Sequence, residues 1–215
     1  MRQTAHPLVT VVTPVYNGEK LLGECIESVL AQTYPNFEYL IVNNRSTDGT
    51  LEVAQRYAKQ DPRVRVHTNT DFLSVVDNFN NAFSLVCEKG TYIKVIAADD
   101  WLYPNCIEEM VRVAEEHPTV GLVSSYVLSG SRVGFDGLDY PSTFVPGREA
   151  GRRYRNDLLV SGGEAIHAGE HDALYRRRDI GASAFPCAVQ QLLKKQRIAL
   201  CAVDRIDGEP PRRVQ

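Results

Sequence analysis

Long apolar runs are missing from this sequence. No segment approaches the ~20 consecutive apolar residues of a membrane-spanning helix, and the N-terminus lacks the apolar core of a secretory signal. A soluble, cytoplasmic chain without a transmembrane segment is therefore expected. The five cysteines, at 25, 87, 106, 187 and 201, are odd in number and include no Cys-x-x-Cys pair. That argues against a disulfide framework or a structural zinc site and fits a reducing compartment. Charge of one sign is also lacking: 24 basic residues face 27 acidic ones, for a formal net charge of −3. No overall basic field points to nucleic acid or to an anionic membrane. Gly-x-Gly-x-x-Gly does not occur, nor does Gly-x-x-x-x-Gly-Lys-Ser/Thr, so a hydride-transferring dehydrogenase and a P-loop ATPase are both poorly supported. Internal repeats and low-complexity tracts are absent as well.

What is present is the composition of a globular domain: 215 residues, 43% hydrophobic and 24% charged. The length suits one good-sized domain. Residues 1–150 carry 12 basic against 19 acidic side chains, and residues 151–215 carry 12 against 8. The basic end includes Arg152, Arg153, Arg155 and the run Arg176-Arg177-Arg178. It can meet phosphates, but a charge run reads first as a solvated surface.

From residue 8 to about 128, short apolar runs alternate with amphipathic ones. Leu8–Thr13, ending at Pro14, reads as a buried strand, and Phe37–Val42, Val64–Val66, Tyr92–Ala97 and Val120–Leu128 read as four more. Between them, Leu21, Leu22, Cys25, Ile26, Val29 and Leu30 recur at helical spacing, as do Leu51, Ala54, Tyr57 and Ala58. Phe72, Val76, Phe79, Phe83 and Val86 form a third stripe, and Ile107, Met110, Val111 and Ala114 a fourth. Such alternation predicts an α/β fold, a mostly parallel sheet with helices on both faces. The expected organisation is one domain with two parts: residues 1–130 carry the α/β half, and 131–215 a short, irregular region without a convincing further βα unit.

In an open α/β sheet, ligands bind beyond the carboxyl ends of the strands. Pro14-Val15-Tyr16-Asn17, Asn43-Asn44-Arg45 and Asp99-Asp100-Trp101 stand there. Adjacent carboxylates repel unless a cation or hydrogen-bond donors compensate. Mg²⁺ or Mn²⁺ would use one or two of them beside substrate phosphate. An acidic turn capping the next helix explains the same spacing, so spacing alone leaves both open. Tyr16 is suited to stacking on a nucleobase or to ordinary packing.

The segment VTVVTPVYNGEKLLGECIESVLAQTYPNFEYLIVNNRSTDGT, followed by the Asp-Asp turn, resembles the N-terminal half of family-2 glycosyltransferases, which have the GT-A fold. The resemblance covers about residues 7–128. It implies a nucleoside-diphosphate sugar donor, a uridine one by preference, a divalent metal (Mg²⁺ or Mn²⁺), and transfer with inversion to a glycan or lipid-linked acceptor in polysaccharide biosynthesis at the inner, cytoplasmic face of a membrane. By the same resemblance Pro14, Tyr16 and Asn17 form the base-binding loop, and Asn43 takes the place of an aspartate that accepts from the base. Asp99 reaches the ribose or sugar-phosphate, and Asp100 ligates the metal.

Two departures stand out. The family's Asp-Asp-Gly is Asn43-Asn44-Arg45, which keeps an acceptor but removes charge; Arg45 is placed to meet a phosphate or only solvent. The family's base motif has no clear counterpart, and Glu170 and Asp172 are the candidates for general base. Leu174-Tyr175-Arg176-Arg177 resembles a segment near the acceptor site. A catalytically dead nucleotide-sugar-binding remnant, lacking the acceptor half, is the alternative. A nucleotidyltransferase ranks lower, because TPVYNGEK offers no Gly- and basic-rich loop for a triphosphate. His167-Ala168-Gly169-Glu170-His171 fits the His-x-x-Glu-His pattern of zinc peptidases, but the neighbouring glycines weaken the helix that chemistry needs.

Overall fold

The computed structural model describes residues 6–86, 88–125, 127–129, 132–134 and 173–180. Four parallel strands carry its centre: β1 (Val9–Val15), β2 (Phe37–Asn43), β3 (Val64–Thr68) and β4 (Tyr92–Val95). β1 pairs with β2 from Val9–Phe37 to Val15–Asn43, and with β4 from Val9–Tyr92 to Val12–Val95. Every residue of β1 is buried, as a parallel strand covered on both faces must be. Pro14 lies inside β1 rather than ending it. Past Val12 the ladder to β4 has stopped, and a proline is tolerated where one side needs no donor.

Helices α1 (Leu22–Leu30), α2 (Thr50–Gln60), α3 (Val75–Ser84) and α4 (Cys106–Glu116) connect and cover the strands. The two-residue alternation of the strands sorts their side chains into two cores. Val9, Val11, Tyr39, Ile41 and Tyr92 join residues of α1, α2 and α4, among them Ile26, Ala54 and Met110. Val12, Leu40, Val42, Ile93 and Val95 meet Phe79 and Ala82 of α3 on the opposite face.

The stripe expected from Phe72 to Val86 is only partly a helix face. Ser74 caps α3, its Oγ accepting from Asp77 N–H at 3.2 Å. Phe72 therefore precedes the helix, and both Phe72 (61% exposed) and Val76 (49%) stay out of the core.

The run 120–128 is not one strand. It divides into β5 (Leu122–Val123) and β6 (Val127–Ser129), and β6 pairs with β7 (Arg132–Gly134) apart from the main sheet. A further strand, β8 (Leu174–Arg176), comes from the region read as irregular. It inserts antiparallel to both neighbours, giving the order β3-β2-β1-β4-β8-β5.

Arg176 corrects the reading of its run as a solvated surface. The side chain is 6% exposed. Its Nε donates to Val120 O at 2.9 Å, Nη2 donates to Ala114 O, and the guanidinium stands over the Tyr92 ring at 4.9 Å. Cation and helix C-terminus attract one another there, which joins β8 to the end of α4. Arg177 and Arg178 donate to the carbonyls of Val86 and Pro118, at 3.3 and 2.6 Å.

Candidate functional site

The connection from β1 leads outward through β2 to β3, and the chain then returns to place β4 on the other side of β1. The crevice of such a sheet opens at this switch point, between the loops that follow β1 and β4. Tyr16 and Asn17 stand on one side of it and Asp99-Asp100 on the other, all four exposed.

The loops after β1 and β2 clasp each other. Asn17 N–H donates to Ser46 Oγ at 3.0 Å, and Thr47 N–H donates to Asn17 Oδ1 at 2.8 Å. Gly18 N–H donates to Thr50 Oγ1 at 2.8 Å and Glu19 N–H to Asp48 Oδ2 at 3.2 Å. In return Gly49 N–H donates to Glu19 Oε2 at 3.0 Å. Asn17 has φ 52°, a left-handed conformation that asparagine accepts. Gly18 is needed for close approach, since a Cβ there would lie 2.7 Å from Val15 Cγ2. At Asp48 burial pushes the carboxyl up, but hydrogen bonds from Thr50 and Glu19 outweigh it and hold it below the usual carboxylate range. At the start of α2, Gly49 N–H and Thr50 N–H are thus already satisfied by the carboxylates of Glu19 and Asp48.

Asn43 and Asn44 are both buried, at 1% and 2% exposure. Asn43 Oδ1 accepts from Ser46 N–H at 3.1 Å and turns the loop. Asn44 pairs with the peptide groups of Leu73, donating to its carbonyl at 2.8 Å and accepting from its N–H at 3.0 Å. Asn69 donates to Asn44 Oδ1 at 2.9 Å and to Asn78 Oδ1 at 2.8 Å, and accepts from Asn81 at 2.8 Å. This amide network escaped the sequence reading. Its signal was the density of asparagines over 69–81, which reads as turn and surface. It holds the loop after β3 against β2, and Phe72 on that loop lies edge-to-face with Tyr16 at 4.8 Å.

Arg45 has φ 55°, where the family pattern carries glycine. Its Nη1 donates to Thr70 O at 2.6 Å, fastening the loop after β2 to the loop after β3.

Beyond β4 the chain turns sharply, Asp100 N–H donating to Ala97 O at 3.2 Å. Beneath lies Cys25, whose Sγ donates to Ala97 O at 3.4 Å. Burial, with a smaller contribution from Asp100 and Asp99, pushes the Cys25 thiol up to about 11, so it stays neutral and is no nucleophile at pH 7. Among the described residues no group of three or more His, Cys, Asp or Glu side chains converges. An all-protein metal cage is thereby missing from this part of the chain. A pair of exposed oxygen donors is what Mg²⁺ or Mn²⁺ takes when substrate phosphate and water complete the shell, and Asp99-Asp100 fits that donor set.

β8 runs against β4, with Lys94 opposite Leu174 and Tyr92 opposite Arg176. Its first residue therefore lies toward the carboxyl edge, on the side of Asp99-Asp100. Glu170 and Asp172 lie outside the described residues, as does the whole His167–His171 motif. Leu174 and Tyr175, read as lying near an acceptor site, are buried sheet residues.

The family model described as Glycosyl transferase family 2 matches residues 10–181. A glycosyltransferase named GlyG from Streptococcus pneumoniae is 34% identical over 119 residues, 55% of this chain and 39% of GlyG. An uncharacterized glycosyltransferase of Haemophilus influenzae is 34% identical over 121 residues, covering 56% and 37%. The chain thus spans about two-fifths of the length of these curated relatives. Among solved structures, TarS of S. aureus in complex with UDP-GlcNAc superposes with a TM-score of 0.67 at 19% identity, over 92% of this chain and 56% of that one. The mannosyltransferase PcManGT from Pyrobaculum calidifontis, in complex with GDP-Man and Mn²⁺, does so with 0.61 at 22% identity, over 98% and 59%. Both likenesses are of fold.

Proposed function

The chain belongs to glycosyl transferase family 2, and from that premise we propose that it moves a sugar from a nucleoside-diphosphate donor to an acceptor hydroxyl, with inversion at the anomeric carbon. The observation that carries this reading is that the exposed Asp99-Asp100 pair follows β4 while Tyr16, in ring contact with Phe72, follows the adjacent strand β1 at the same edge of the sheet.

The base of the donor, a uridine nucleotide by preference, stacks on Tyr16 in the loop running from Pro14 to Asn17. Asn17 serves by holding that loop in place. Asn43, buried and already accepting from Ser46 N–H, would have to offer the remaining lone pair of its oxygen to a base N–H. Asp99 accepts from the ribose or the sugar-phosphate. A divalent cation, Mg²⁺ or Mn²⁺, held by Asp100 would offset the negative charge that builds on the leaving diphosphate. Glu170 and Asp172 are the candidates for general base, taking the proton from an acceptor hydroxyl of a glycan or lipid-linked sugar. β8, the described strand that follows them in sequence, begins toward the carboxyl edge of the sheet, which supports this reading. Among the described residues no helix is long and apolar enough to cross a membrane.

The test is thermal unfolding with UDP, GDP, dTDP and CDP, each with and without Mn²⁺, on the wild type and on Asp100→Ala. A ligand at about 100 times its Kd adds about 2.7 kcal/mol of stability. One nucleotide is expected to raise the midpoint only with the metal, and Asp100→Ala to abolish the rise. Glu170→Gln or Asp172→Asn should then remove transfer while leaving that rise intact. A cooperative transition that no nucleotide shifts would sink the donor-site assignment. Nucleotide-sugar binding without turnover on any acceptor would leave the binding-remnant reading instead.

A further inference from the structure

Trp101 follows directly on Asp100, and it is 36% exposed, among the few large apolar side chains that the described residues leave outside the core. Its neighbourhood is nevertheless rigid. The indole meets Tyr103 edge-to-face at 4.8 Å. Leu102 N–H donates to Ser28 Oγ at 3.1 Å, and Gln32 Nε2 donates to Tyr103 O at 2.7 Å. Thr33 N–H donates to Pro104 O at 2.8 Å, and Gln32 Oε1 accepts from Ile107 N–H at 3.0 Å. The turn is thus fastened to Ser28 in the last turn of α1 and to Gln32 and Thr33 just beyond it, and it holds up an indole that the core does not use.

We propose that Trp101 is a stacking face for a hexopyranose ring at the crevice, the transferred sugar of the donor or the terminal sugar of the acceptor. The proposal rests on the transfer reading given above. A pyranose has an apolar face of C–H groups, slightly positive, and a rim of hydroxyl donors. The first suits the negative face of an indole, the second the carboxylates of Asp99 and Asp100 alongside. An aromatic ring already held in place loses little freedom on binding, so its contact is translated into affinity rather than spent on ordering.

Trp101 is the only tryptophan in the chain, so its fluorescence reports on this position alone. The nucleotide that stabilises the protein with Mn²⁺ is titrated first, then its hexose conjugates, and then methyl glycosides and disaccharides with the bare nucleotide present. A conjugate is expected to shield Trp101 from acrylamide at least about twofold more than the bare nucleotide. Trp101→Ala should weaken conjugate binding about five- to tenfold, with bare-nucleotide binding unchanged and with most affinity restored in Trp101→Phe. That result places the donor sugar on the indole; shielding by the glycosides, lost likewise in Trp101→Ala, places the acceptor sugar there. Conjugates and glycosides that shield no more than the bare nucleotide, and bind Trp101→Ala as they bind the wild type, overturn the proposal while leaving the donor site standing. If no nucleotide binds, the transfer reading falls and this one with it.

Discussion

Asn44 holds Leu73 by both halves of its side-chain amide, its NH₂ donating to the carbonyl at 2.8 Å and its oxygen accepting from the N–H at 3.0 Å. The side chain replaces the backbone partner that a neighbouring strand would have offered. An aspartate, with no donor when ionised, cannot do this. Asparagine at a position where the family pattern carries aspartate is therefore a structural fit to the loop after β3.

Asn44→Asp should accordingly lose about 2–3 kcal/mol at pH 7, because the Leu73 carbonyl loses its donor and a charge is buried without a cation. The loss should shrink at pH 4, where a protonated carboxyl can donate again. Urea denaturation at the two pH values measures both effects. An equal loss at both would remove the role assigned to the amide hydrogens.

Arg45 separates backbone strain from a side-chain contact. Arg45→Ala keeps a side chain at φ 55° and loses the bond to Thr70 O, whereas Arg45→Gly loses the same bond and relieves the conformation. Glycine should leave the protein more stable than alanine by about 1 kcal/mol. Equal midpoints in denaturant would show that the left-handed conformation costs nothing here.

Tyr16 and Phe72 are expected to act together on the nucleobase. Tyr16→Ala should weaken nucleotide binding by about 1–3 kcal/mol, the usual range for losing one stacked base. Phe72→Ala should cost less, since its ring braces Tyr16 from the side. Calorimetric titration of both variants and of the double variant decides this. Strictly additive losses would mean the rings do not work through one another.

How much of this was legible in the sequence depended on whether the signal was local. β1, β2 and β4 could be read because each is a β-branched or aromatic run, and α1 and α4 because their buried residues repeat at helical spacing. Asp99-Asp100 could be placed because it follows such a run. β8 could not: Leu174-Tyr175-Arg176 is three residues long, and its identity as a strand comes from β4 and β5 on either side. The asparagine network was hidden for a related reason. Asn69 and Asn78 are polar in sequence and become interior only once α3 lies against the sheet. Phe72 and Val76 show the reverse error: Phe72 lies before the Ser74 cap that starts α3, and Val76 lies in the first turn of that helix but on its exposed side.

Acid should destabilise the fold through Asp48 and Asp61. Hydrogen bonds from the Thr50 and Glu19 groups outweigh burial at Asp48, and the Arg63 side chain holds the Asp61 carboxyl below its usual range. With the folded-state pKa depressed, the unfolded chain takes up protons first. Stability is then fully present above about pH 4 and is lost as pH falls from there through the folded values. Asp48→Asn and Asp61→Asn should each flatten the acid limb of a plot of denaturation midpoint against pH. Unchanged slopes in both would exclude these carboxylates as its source.

The insertion of β8 has a consequence for how the chain is made. Lys94 and Leu174 are ladder partners separated by about 80 residues, and at ~5–20 residues per second the ribosome needs several seconds to deliver the second after the first. Through that interval β1, β2, β3 and β4 can assemble from neighbouring segments, but the outer edge of β4 lies open and β5 has no ladder to join. An open edge on a half-built sheet is a template for any other extended chain. Synthesis speed across residues 95–176 and chaperone supply during that window should therefore weigh more on the yield of folded protein than the stability of the finished sheet does.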